Sequence, residues 1–153
     1  MKKNALLTLL LLAALAGTAA AGDRYEAGIM VGVPTGLSGK LNLSRTEAVD
    51  AGMGWAFSDD KEFYLHADKL WQRDDVFQPG SGRMPLYFGV GGRVKTREGR
   101  ASKLGVRLPV GVQYYLPQPN PGVTFFAEAA PILDMAPDTS FGLNVAIGVR
   151  FLF

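Results

Sequence analysis

GLNVAIGVRFLF, residues 142–153, sets Leu143, Val145, Ile147, Val149, Phe151 and Phe153 in alternation with Gly142, Asn144, Ala146, Gly148, Arg150 and Leu152. An extended chain turns successive side chains to opposite faces. One face of this segment is therefore continuous hydrocarbon and the other is mostly small or polar. The fold turns on which face looks outward.

The same period of two recurs upstream. It predicts strands over 25–33, 37–44, 48–57, 63–72, 86–95, 104–115, 123–133 and 141–153. The breakers between them are PTG (34–36), SRTE (44–47), SDDKE (58–62), RDDVFQPGSGRMP (73–85), TREGRAS (96–102), LPQPNPG (116–122) and DMAPDTS (134–140). No helical period longer than a turn follows the first twenty residues. The expected class is all-β: an eight-stranded antiparallel up-and-down barrel, in one domain over 22–153.

The start of the chain has a separate logic. Met1-Lys2-Lys3-Asn4 is basic, Ala5 to Leu15 is an eleven-residue apolar run, and residues 17–21 close on an Ala-x-Ala pattern. That is the layout of a secretory signal peptide over 1–21, cleaved after Ala21. Eleven apolar residues are too few to span a bilayer as a helix. Lys2 and Lys3 leave with the leader, so the formal charge of +2 falls to about zero and argues against a nucleic-acid partner. The chain has no Cys and one His, which excludes disulfides, thiolate catalysis and Cys-based or His-rich metal sites. No cofactor is expected.

Parity sorts the strands into an apolar face and a face on which charges are interleaved with glycine. Three features put the apolar face toward lipid. Glycine weakens a solvated strand, whereas inside an eight-stranded barrel, just wide enough for side chains to fill, it makes room for Arg, Lys and Tyr. The large aromatics of the apolar face sit at strand ends: Tyr25, Trp71, Phe88, Tyr114, Phe125, Phe151 and Phe153 at one rim, Trp55, Phe57, Phe63 and Phe141 at the other. Two aromatic girdles around an aliphatic band suit a bilayer's two interfaces. Finally, a charge on the lipid side costs about 2–4 kcal/mol at the midplane. Only Lys69 breaks that rule, two residues from Trp71, where its stem can reach water.

The ending GVRFLF resembles the C-terminal signal of outer-membrane barrels, with Phe153 as the assembly residue. The architecture resembles the small barrels of the OmpA and OmpX type. GVPTGLSGKLNL, AVDAGMGWAFSD, FYLHADKLW, RMPLYFGVGGRVK, GVRLPVGVQYYL and EAAPILDMAPDTSFGLNVAIGVRFLF resemble a family of small bacterial outer-membrane barrels first described in spirochaetes. The resemblance implies a bacterial outer-membrane location in a Gram-negative-type cell. The partners it implies are outer-membrane lipid and the export and barrel-assembly machinery. It implies no activity. The expected protein is a monomer with a side-chain-filled polar lumen and a structural or surface-interaction role, not an enzyme. The alternatives are a soluble periplasmic lipocalin-like binder and an outer-membrane lipid hydrolase.

The candidate luminal network comprises Glu26, Asp50, Asp68 and Glu128 against Lys40, Arg93, Arg107 and Arg150, with His66 among them. A salt-bridged plug is favoured over a gated ion path, because eight strands leave little bore and unpaired buried charge is strongly destabilising. His66 and Asp68 share the inner face, but no Ser stands mid-strand on the lipid face to act with them, so a pH-sensitive network member is the better reading. Pro109 and Pro131 fall inside strands, where each removes a ladder hydrogen bond. A bulge is expected at Pro109. Adhesion or ligand capture would belong to the short outer loops. The longest connection, 73–85, falls on the periplasmic side, against the usual rule of short periplasmic turns.

Overall fold

The computed structural model describes residues 24–56, 61–119 and 122–153. The leader over 1–21 and Phe57 lie outside them. Nine strands run in chain order: β1 Tyr25–Gly32, β2 Gly36–Asn42, β3 Glu47–Ala56, β4 Glu62–Arg73, β5 Leu86–Arg97, β6 Lys103–Arg107, β7 Val110–Tyr115, β8 Val123–Ala136 and β9 Ser140–Leu152. Every neighbouring pair is antiparallel, and β1 pairs with both β2 and β9. With β4–β5 and β7–β8 also paired, the sheet closes on itself. β6 and β7 are two halves of one wall strand, since both lie between β5 and β8. The chain is thus an eight-stranded up-and-down barrel.

The break between β6 and β7 falls at Leu108-Pro109, and it corrects one expectation. Arg107 pairs with Ile132 and Val110 with Ala129, so the register runs through Pro109 without an inserted residue. Pro109 removes a donor but leaves the ladder in step; its carbonyl still accepts from Gly89 N at 2.8 Å. The register shift on this wall lies instead between Leu104 and Gly105, opposite Ala136 and Asp134. Pro131 sits in register opposite Leu143 within β8, and is not a strand end.

Parity separates the two faces as the alternation requires. Ile29, Val31, Leu65, Val90, Leu108, Val110, Val145 and Ile147 point outward and are exposed, Ile147 to 62% and Val31 to 57%. The interior holds the buried polar set, with two small apolar clusters: Met30, Phe126 and Ala146, and Ala48, Leu70 and Tyr87. Lys69 points outward and its ammonium donates to Glu47 Oε2 at 2.9 Å, beside Trp71, which pairs with Glu47.

Both termini of the described barrel lie at one end, together with connections 43–46 and 74–85 and residues 116–119. Connections 33–35, 98–102 and 137–139 lie at the other end. The long connection does fall at the termini end, and it is folded over that mouth. Arg83 and Tyr115 exchange backbone hydrogen bonds of 3.2 and 2.8 Å. The Arg83 guanidinium lies 5.1 Å from the Tyr115 ring centroid, and its Nε donates to Asp74 at 2.6 Å.

Candidate functional site: the charged lumen

The antiparallel registers lay the inward residues out as lateral rows around the wall. One row runs Glu26, Lys40, Asp50, Asp68, Gly91, Arg107, Ile132 and Gly142. A second runs Arg150, Gly28, Ser38, Gly52, His66, Arg93, Gly105 and Asp134. Glycines interrupt both rows because the bore cannot hold eight long side chains at one level. The fit is tight: a Cβ on Gly52 would lie 2.7 Å from Met30 Cε, and one on Gly111 2.6 Å from Tyr87 Cζ.

Lys40 Nζ anchors the termini end of the lumen, donating to Glu26 Oε1 (3.3 Å), Gln72 Oε1 (3.2 Å), Gln113 Oε1 (2.9 Å) and Tyr115 OH (2.8 Å). Glu26 Oε1 also accepts from Asn42 Nδ2 at 2.7 Å and from Tyr115 OH at 3.0 Å. In mid-lumen, Arg107 Nη2 donates to Glu128 Oε1, and its Nε lies 2.8 Å from Asp68 Oδ2. That second contact is coulombic, because Arg107 Nε and Asp68 Oδ2 make no hydrogen bond. Tyr64 OH accepts from Arg107 Nη1 at 3.0 Å and from Asn144 Nδ2 at 2.6 Å, while Tyr87 OH donates to Glu128 Oε2 at 3.0 Å. Arg150 Nη2 donates to Asp50 Oδ2 at 3.3 Å and Nε to Ser38 Oγ at 2.9 Å, with its guanidinium 3.9 Å over the Phe126 ring.

The expected pairing of four acids with four cations is incomplete. Arg93 takes none of the four acids; it makes three hydrogen bonds of 2.7–2.9 Å to Asp134. Asp134 reads as part of the breaker DMAPDTS, yet β8 continues to Ala136 and carries it into the lumen, 1% exposed. Tyr64, Tyr87, Gln72, Gln113 and Ser38 are further members. Their parity with the charged residues was the available signal.

Asp50, His66 and Asp68 could offer metal-ligand atoms within 4.8 Å of one another. The same space holds two guanidinium groups, Arg107 beside Asp68 and Arg150 beside Asp50. Each carboxylate of the trio therefore already has a guanidinium partner, and the trio belongs to the ion network. His66 Nε2 lies 3.9 Å from Asp68 Oδ2, and the Ser38 hydroxyl lies against Arg150. The void beside them is about 10 Å³, room for about one water.

The aromatic residues of the outer face take the two rims. Tyr25, Trp71, Phe88, Phe125 and Phe151 are exposed toward the termini end and Trp55, Phe63 and Phe141 toward the other; Tyr114 is half-buried. Trp71 stacks on Phe88 with centroids 6.0 Å apart. Phe153 is 38% exposed, and its N donates to Tyr25 O at 2.8 Å.

A closed antiparallel wall with hydrocarbon outside and paired charge inside defines a small up-and-down transmembrane β-barrel. No family model and no curated protein matches the sequence. Among solved structures, the N-terminal β-barrel domain of Pseudomonas aeruginosa OprF matches with a TM-score of 0.61 at 14% identity, over 86% of this chain and 98% of that one. Ail, the attachment invasion locus protein of Yersinia pestis, matches with a TM-score of 0.39 at 15% identity, over 85% of this chain and 94% of that one. The likeness to the OprF domain is one of fold.

Proposed function

We propose that this chain is a small bacterial outer-membrane barrel whose lumen is a salt-bridged plug, with a structural or surface-interaction role and no catalytic activity. In this reading the leader is removed after Ala21, and the export and assembly machinery uses the C-terminal strand and Phe153. The product stands in the membrane as a monomer with its termini in the periplasm. Kinship with the small-barrel family first described in spirochaetes is part of the same proposal.

The observation that carries it is the inversion of faces. A water-soluble barrel of this size would hide Val31, Leu65, Val145 and Ile147 and expose its arginines; here Arg107 is 0% and Ile147 62% exposed. At roughly 25 cal/mol per Å² of apolar surface, an aliphatic belt around the whole wall is costly in water and favourable in lipid. A lipocalin-like binder holds its ligand within the barrel, where small-molecule sites occupy about 300–1,000 Å³; here the mid-lumen void is about 10 Å³, and the hollow of about 420 Å³ between Arg45, Arg83 and Tyr115 lies outside it at the termini mouth. The hydrolase alternative would need a nucleophile reachable by substrate, and Ser38 is buried against Arg150.

Membrane fractionation followed by electrophoresis of unheated and boiled samples tests the reading. The folded protein should sediment with outer membranes, need detergent for extraction, and migrate differently before and after boiling. Recovery as a folded, detergent-free periplasmic protein would refute it.

A further inference from the structure

The mouth opposite the termini carries an arrangement of charge that the barrel wall does not require. Lys95 on β5 and Lys103 on β6 are direct cross-strand partners. Like charges placed directly opposite one another destabilise a sheet. The connection between these strands adds two more cations. Gly99 takes a positive φ of 75°, which turns the chain so that Arg100 N donates to Arg97 O at 3.1 Å and both arginines border the same cleft. The cleft measures about 140 Å³ and is lined by Lys95, Arg97, Arg100, Ala101 and Lys103.

Among the described residues, the nearby acids are engaged as follows. Glu62 is shared between Lys95 Nζ at 2.8 Å and Arg97 Nη2 at 2.6 Å. Asp134 is 3.6 Å from Lys103 but is held by three hydrogen bonds from Arg93. Glu98 faces Lys61 at 3.5 Å. Arg100 makes no ion pair among the described residues. Asp59 and Asp60, next in sequence to Lys61, lie outside the described residues, and the test below includes them.

We infer that this cleft binds a tetrahedral oxyanion, a phosphate group above all. Guanidinium forks suit phosphate oxygens, and lysines add point charge to the same site. Thr96, between Lys95 and Arg97, pairs with Phe63 of the aromatic rim. The cleft therefore stands at the height of that ring but on the inward parity of Arg93, so a lipid headgroup phosphate reaches it over the rim if the barrel spans a bilayer. The headgroup source rests on the membrane reading; the anion site itself does not.

The test uses the protein purified from membranes and inserted in phosphatidylcholine nanodiscs. Inorganic phosphate is titrated by NMR or calorimetry, and phosphatidic acid is offered in competition with phosphatidylcholine. Phosphate should bind to the unaltered protein. Binding should be about tenfold weaker or worse in Arg100→Gln/Lys103→Gln, the scale of a lost charge-assisted hydrogen bond. Arg45→Gln at the other mouth should bind like the unaltered protein, and Asp59→Asn/Asp60→Asn at least as tightly. Selective capture of phosphatidic acid would assign a lipid headgroup; a response to inorganic phosphate alone would assign the free anion. Absence of both, displacement by equal chloride, or equal loss in Arg45→Gln would overturn the site. Heat-modifiable migration of each variant reports folding separately, so a failed anion site and a failed barrel reading are distinguishable.

Discussion

Arg107 Nε lies 2.8 Å from Asp68 Oδ2, and both residues have Gly91 as their register partner, Asp68 from β4 and Arg107 from β6. The ion pair crosses a strand by passing over a residue with no side chain. A Cβ at Gly91 would strike Asp68 Oδ1 and come within 2.6 Å of Asp68 Cα. Gly91→Val should therefore abolish the folded, heat-modifiable form. Gly39, whose nearest contact to an added Cβ is 3.8 Å, should accept alanine without loss. Unheated electrophoresis of the two variants checks this.

Lys40 is an anchor for several acceptors at once, and removing it alone strands Glu26. Lys40→Met should cost about 3–5 kcal/mol, the usual result of leaving a buried charge without its partner. Lys40→Met/Glu26→Gln should recover part of that loss. Urea unfolding in detergent micelles measures both, and equal stability of the single and double variants would contradict the pairing.

Neighbouring residues of β9 should respond in opposite senses. Val145 points to the outer belt and is 52% exposed, so Val145→Arg should cost about 2–4 kcal/mol and block assembly. Asn144 points inward and donates to Tyr64 OH at 2.6 Å. Asn144→Ala loses that bond, costs about 1–3 kcal/mol, and should still assemble. Assembly yield in membranes separates the two.

Arg83 pins the longest connection across the mouth through Asp74 and the Tyr115 ring. Arg83→Ala should release that connection while leaving the barrel closed. Limited proteolysis should then cut faster within 74–85, with the heat-modifiable band unchanged.

Which face each strand residue occupies was legible because alternation is local: the 142–153 segment alone distinguishes Val145 from Asn144. The partners of the luminal charges were less so. Arg93 finds Asp134 because β8 runs on past Leu133, and the Pro and Asp of DMAPDTS read as a breaker before the strand in fact ends at Ala136. Pro109 announces a missing donor but does not fix the register, which is set by its neighbours on β5 and β8. The cross-strand meeting of Lys95 with Lys103 depends on the turn at Gly99, and parity of single strands does not show it.

Trp55 and Trp71 are the only tryptophans, one near each rim of the outer face and 40% and 37% exposed. Their fluorescence in bilayers containing brominated lipids reads most directly whether hydrocarbon touches this surface. The account predicts strong quenching of both, deeper for bromines near the headgroups than at the chain ends. Unquenched emission from the folded protein would show that the aliphatic belt meets something other than lipid.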